Sequence, residues 1–185
     1  MVVLLPGDIF LTRGTGWKSR LVRFFSRHIG ESRTLVNHVG IVVRFGDVQK
    51  ALVVEALSKV RRHTLGRRYA GTPHQVGIYR PCNVSGRMIA KKAESYVGRK
   101  YGTLKLVAHF LDWCLQGAYV FRRLAFMKQY PICSFLVAHA CAEVGITFGV
   151  APAEAEPDDI LDYITCHPNE FLCIRGLSKI QKGEK

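Results

Sequence analysis

Short strand-like runs dominate the hydrophobic pattern up to residue 80, broken by one helical stretch, and helical periods dominate from Ser85 to Ile164. Pro6-Gly7 punctuates the start, and Asp8 to Thr12 reads as a strand. From Trp17 to His28 the period is helical. Trp17, Leu21, Phe24, Phe25 and His28 share one side, while Arg20, Arg23 and Arg27 form a basic stripe. Two apolar runs, Val39 to Arg44 and Ala51 to Ala56, flank a Gly46-Asp47 turn signal. A hairpin centred between Gly46 and Asp47 places residue 38 directly opposite residue 55, so it predicts that His38 and Glu55 are neighbours. A one-residue slip would send them to opposite faces.

Val60 to Leu65 and Val76 to Arg80 read as further strands, joined by the basic segment Gly66 to Pro73. Ser85 resembles the N-cap of a helix running toward Val97, and Gly98 to Gly102 breaks it. A longer apolar helix is expected from Thr103 to Phe126. The Pro131 break precedes a helix opened by Cys133, with Leu136, Val137, Ala140 and Val144 as its core stripe and Gly145 as its stop. Val150 to Pro157 reads as a loop, Asp158 to Ile164 as a short helix, and Phe171 to Ile174 as a last strand. The pattern predicts one domain over residues 1–178 and a frayed, charged tail over 179–185.

Composition changes this picture little. At 185 residues, 48% hydrophobic and 22% charged, the chain is of ordinary globular make-up rather than disordered. Its net charge of +13 reads either as a simply solvated basic surface or as attraction to an anionic partner. The arginines of helix 17–28 read first as a solvated surface stripe, and otherwise as the segment that would meet an anionic surface. Leu104 to Phe121 carries Lys105, His109, Asp112 and Gln116, which argues for a core or interfacial helix over a spanning one. The opening Met1 to Pro6 is too short for a signal-peptide apolar region, so a cytoplasmic setting is expected, with peripheral membrane contact as a further option. The six cysteines form no CxxC and no zinc-finger spacing, and no cofactor or metal is expected.

The candidate chemistry lies at Cys133 and His38. A thiol at a helix N-terminus is favoured as thiolate by the unpaired amides and the macrodipole. A histidine at the opening of a rigid strand is a natural base for it. Glu55 is the candidate for the third role, fixing the imidazole tautomer and steadying the imidazolium, with Asp8 as a rival that reads better as a strand opening tied by backbone bonds. The Cys133 amide would serve a developing oxyanion. Tyr101 and Ser134 are candidates for the substrate pocket or the oxyanion, and Tyr101 reads equally as a core aromatic after a turn.

These residues occur in an ordered series: Pro6-Gly7-Asp8-Ile9, Asn37-His38-Val39-Gly40-Ile41, Val54-Glu55-Ala56, Gly98 to Tyr101, and Cys133-Ser134-Phe135-Leu136-Val137. The series resembles the circularly permuted, papain-like branch of the NlpC-type cysteine peptidases and amidases, the YiiX-like group, over roughly residues 3–164. Pro157-Asp158-Asp159-Ile160 looks like the family's closing element. The resemblance implies an α+β fold in which a small antiparallel sheet packs against helices, among them the one bearing the nucleophile. Permutation accounts for histidine preceding cysteine. Carried over, Cys133 is the nucleophile, His38 the base and Glu55 the orienting residue. The implied activity is hydrolysis of an amide bond in a peptide or cell-wall-type peptide. Relatives of the lecithin retinol acyltransferase type act on lipid acyl groups instead. The basic helix and the absent signal peptide depart from an exported wall hydrolase.

Two other function classes compete. A lipid acyltransferase or lipid hydrolase would use the same site, and a non-catalytic binding module would keep the fold without turnover. A nucleic-acid binder has the weakest support: Arg61-Arg62, Arg67-Arg68 and Arg122-Arg123 supply charge, with neither a recognition motif nor interleaved aromatics.

Overall fold

The computed structural model describes residues 2–14, 35–72, 74–100 and 133–180. The expected helices at 17–28 and 103–126, and Tyr101, lie outside the described residues. In chain order the described elements are β1 (Val3–Leu4), β2 (Ile9–Arg13), β3 (His38–Arg44), β4 (Gly46–Asp47), β5 (Leu52–Ala56), β6 (Val60–Thr64) and α1 (Leu65–Tyr69). They continue with β7 (Gln75–Pro81), α2 (Gly86–Glu94), α3 (Cys133–Ala142), α4 (Pro157–Cys166) and β8 (Phe171–Lys179). The architecture is α+β. Six strands form one sheet in the order β6-β5-β3-β2-β7-β8, with every neighbouring pair antiparallel, and β1 pairs with β4 as a separate ribbon.

Strand alternation buries both faces. Ile9, Leu11, Val39, Ile41 and Val54 point to a core shared with Ile89 and Ala93 of α2, Leu136 and Val137 of α3, and Ile160 and Leu161 of α4. The intervening Phe10, Val42, Val53, Val76 and Ile78 point to a second core under Leu65 and Tyr69 of α1, closed by Leu4 and Ile180. Such two-sided burial explains why the strands read as apolar runs rather than as clean alternation. The same logic corrects the expected stripe on α3. Residues Cys133 to Ala138, with Ala140 and Cys141, are buried, so the helix is covered almost all round.

Four other expectations change. Gly46-Asp47 is not the hairpin tip but a short strand on β1; the tip follows, where Asp47 Oδ1 accepts the amides of Gln49 and Lys50. The β3–β5 register therefore pairs Ile41 with Val54 and Val42 with Val53, with an irregularity before Arg44. Continued toward the strand start, it sets Gly40, not His38, across from Glu55. The shift is of two residues, which conserves the face, so His38 and Glu55 stay diagonal neighbours on the Phe10 and Val42 side. The segment after β6 contains helix α1 rather than a plain connection. Finally, β8 runs to Lys179, which pairs with Gln75, and Ile180 is buried beside Ala70, so ordered structure reaches into the tail expected to fray. Among the described residues, no helix is long and apolar enough to cross a membrane.

Gly40 holds these layers together by what it lacks. A Cβ there would lie 2.5 Å from two ring carbons of Phe10 and 2.8 Å from the Val54 carbonyl oxygen. Gly40→Ala must displace the ring that packs against His38 and Tyr69. Overpacking of this kind costs about 1–3 kcal/mol, so the thermal midpoint should drop by several degrees. An unchanged midpoint would mean that Phe10 has room to yield.

Candidate active site

β3 opens at His38 because Asn37, the residue before it, ties the strand ends together. Its amide donates to the Thr12 carbonyl (3.0 Å), and its side-chain oxygen accepts from the Gly14 amide (2.8 Å). His38 is thereby held on the outermost paired position of β3, opposite Thr12. Cys133 lies on α3, which packs against β3 from the other face of the sheet. The two side chains meet at the end of the sheet rather than across a face. The Cys133 sulfur and the His38 ring share a hydrogen bond, and the Val39 and Ser134 amides also donate to the sulfur. Cys133 is 8% exposed, and the His38 side chain 14%.

Behind the imidazole stands Glu55, which is fully buried. Its Oε2 takes a short hydrogen bond from His38 Nε2, leaving Nδ1 as the ring nitrogen for the thiol. Three further residues converge on the same carboxylate. Tyr69 donates its hydroxyl to Oε2 (2.6 Å), His63 Nε2 lies 2.6 Å from Oε1, and Arg68 Nε lies 3.2 Å from Oε1. A buried anion so surrounded is compensated from both oxygens, as a buried charge must be.

The electrostatics follow from this geometry. Burial alone would raise the Glu55 carboxyl, but the His38 cation and the donors from His38, His63 and Tyr69 outweigh it, and the group is held well below the carboxylate range. Burial likewise works against the His38 cation, yet Glu55 and Cys133 overcome it and push the imidazole up to about 10. For Cys133 burial opposes the thiolate, while the His38 charge and hydrogen bond and the two amides lower its pKa. Cys141, one helical stretch along, has burial without a cation, and its thiol is pushed up. The contrast isolates the cause: two buried cysteines on one helix differ in whether an imidazole faces them. No protein-family model and no curated protein matches the chain.

Of the sequence candidates, Cys133, His38 and Glu55 come together, and Tyr101 lies outside the described residues. Ser134 adjoins the site through its amide; its hydroxyl is buried with no hydrogen-bond partner among the described residues. Asp8 is no rival to Glu55. It accepts the Leu5 amide (2.8 Å) and is bidentate to Arg80 (2.7 and 2.9 Å), which makes it a brace between β2 and β7. His63, Arg68 and Tyr69 were not found from sequence. The β6 pattern offered one signal, because His63 sits two residues from the partner of Glu55 on the same face. Tyr69 and Arg68 had none, since helix α1 was not legible.

Proposed function

We propose that the protein is a cysteine hydrolase that cleaves an amide bond through Cys133, His38 and Glu55, on a permuted papain-like fold of the NlpC type. One observation carries this reading: a helix-borne thiol is hydrogen-bonded to an imidazole whose other nitrogen is held by a buried carboxylate. The Cys133 thiolate attacks the carbonyl carbon, and the carbonyl electrons move to oxygen. The Cys133 backbone amide would stabilise that oxyanion. On collapse the C–N bond breaks, and the leaving amine takes its proton from His38 Nδ1. Water then gives a proton back to Nδ1 as it attacks the thioester, which releases the acid and restores the thiolate. Glu55 keeps the ring turned and the imidazolium stable throughout and does not itself take the proton.

The test is trapping of the acyl-enzyme. The protein is incubated with a panel of peptide amides, wall-type peptides and labelled phospholipids, and the Cys133 peptide is weighed after acid quench. An acyl mass on Cys133 from an amide, absent in Cys133→Ala, is the expected result. Acylation from phospholipid alone would transfer the same site to lipid acyl chemistry. Failure of the whole panel, with ligand retention unchanged in Cys133→Ala, would favour a binding module.

A further inference from the structure

The Glu55 carboxylate has more partners than orientation of one imidazole calls for. A terminal carboxylate torsion is broad and roughly two-fold, so a single hydrogen bond leaves it free to swing. Here each oxygen has its own anchor, and each anchor is itself fixed. Tyr69 reaches Oε2, the same oxygen that receives His38, and its ring is wedged between Phe10 (5.8 Å between centroids) and His74 (5.7 Å). His63 reaches Oε1 through Nε2 while Nδ1 lies 3.0 Å from the Thr64 carbonyl oxygen. Arg68 is half exposed and contributes the weaker, solvent-screened contact.

We propose that His63 and Tyr69 are positioning residues: they lock the Glu55 carboxylate with Oε2 toward His38, and so hold the imidazole in line with Cys133. The inference rests on the reading of Cys133 and His38 as nucleophile and base. Among the described residues, the charged and titratable groups around the lock are His38, His63, Arg68, His74 and Tyr69 around Glu55, with Cys133 beyond His38. Removing either anchor leaves the carboxylate with a torsional choice and leaves a buried acceptor short of a donor.

The experiment needs no substrate. Iodoacetamide alkylation of Cys133 is followed by peptide mapping at pH 6 and pH 8 in the full chain, beside thermal midpoints. The variants are His63→Leu, His63→Gln and Tyr69→Phe. Loss of one hydrogen bond to a charged group is worth about tenfold, so in His63→Leu and Tyr69→Phe the pH 6 rate should drop about tenfold relative to the pH 8 rate of the same variant. His63→Gln restores an N–H at the Nε2 position and should recover most of that loss, which a purely structural role would not require. The downfield imidazole N–H resonance of His38 gives an independent reading and should broaden or move in the two defective variants and return in His63→Gln. A flat wild-type profile kept by all three variants overturns the lock alone. A wild type whose rate already climbs steeply from pH 6 to pH 8 overturns the nucleophile reading, and the lock with it. Should Tyr69→Phe fail to fold, the two His63 variants decide the matter between them.

Discussion

Alkylation of Cys133 is expected to run at nearly the same rate at pH 6 and pH 8 in the wild type, and to climb about 10²-fold over that interval in His38→Ala. The reasoning is one of slope. An ordinary thiol near pKa 8.5 gains about tenfold in thiolate for each pH unit below that value, so two units give about 10². A thiol already ionised by an imidazolium gains nothing further. The imidazolium is available because Glu55 and Cys133 hold His38 protonated to about 10 against the opposing effect of burial. His38→Ala removes the charge and the hydrogen bond together and leaves a buried thiol with only the Val39 and Ser134 amides. Cys141 is the internal control: it lies on the same helix, is fully buried, has its thiol raised, and should stay unmodified. Equal slopes for wild type and His38→Ala would dissolve the ion pair and the hydrolase with it.

Glu55→Gln should be strongly destabilising for so conservative a change. The amide matches the carboxylate in size but offers an NH₂ group where donors from His38, His63, Tyr69 and Arg68 converge. Breaking a buried charge cluster by neutralising one member costs about 3–5 kcal/mol, which in a chain of this length is about 10 °C of thermal midpoint. The loss should depend on pH in a defined direction. The Glu55 carboxyl is lowered from its ordinary 4.5, so its contribution is complete above that pH and disappears as the medium is acidified further. The His38 imidazole is raised from 6.5, so its contribution is complete below 6.5 and is lost as pH climbs toward 10. These are two views of one interaction and are counted once. The stability gap between wild type and Glu55→Gln is therefore widest between about pH 4.5 and 6.5 and narrows on both sides. Denaturant melts across pH 4 to 9 measure it, and a gap independent of pH would show that the cluster acts by shape rather than by charge.

Much of the site was legible because its first two members lie beside local sequence signals. A proline break before an apolar helix marked Cys133, and the onset of a valine-rich strand marked His38. Glu55 was found through a register that was off by two residues. The error did no harm, because strand faces repeat every second residue, whereas an error of one would have hidden Glu55 in the opposite core. The hairpin tip was misplaced because Gly46-Asp47 is a common turn pair, while here Asp47 caps the turn that follows it.

The sequence by itself determined the local pieces: most of the runs that form the large sheet, where α2 begins, and that Cys133 belongs to an apolar helix. Periodicity and punctuation are properties of neighbouring residues, so they can be read without the fold. Tertiary structure alone decided that the Cys133 helix and Glu55 belong to opposite faces of the sheet and communicate around its end through His38. It alone brought Tyr69 and Arg68 from a five-residue helix, and His63 from an edge strand, onto one buried carboxylate. The physical reason is that a buried charge is satisfied by whichever donors packing delivers. Packing is set by how two hydrophobic cores close over a twisted sheet, which no single stretch of the chain encodes.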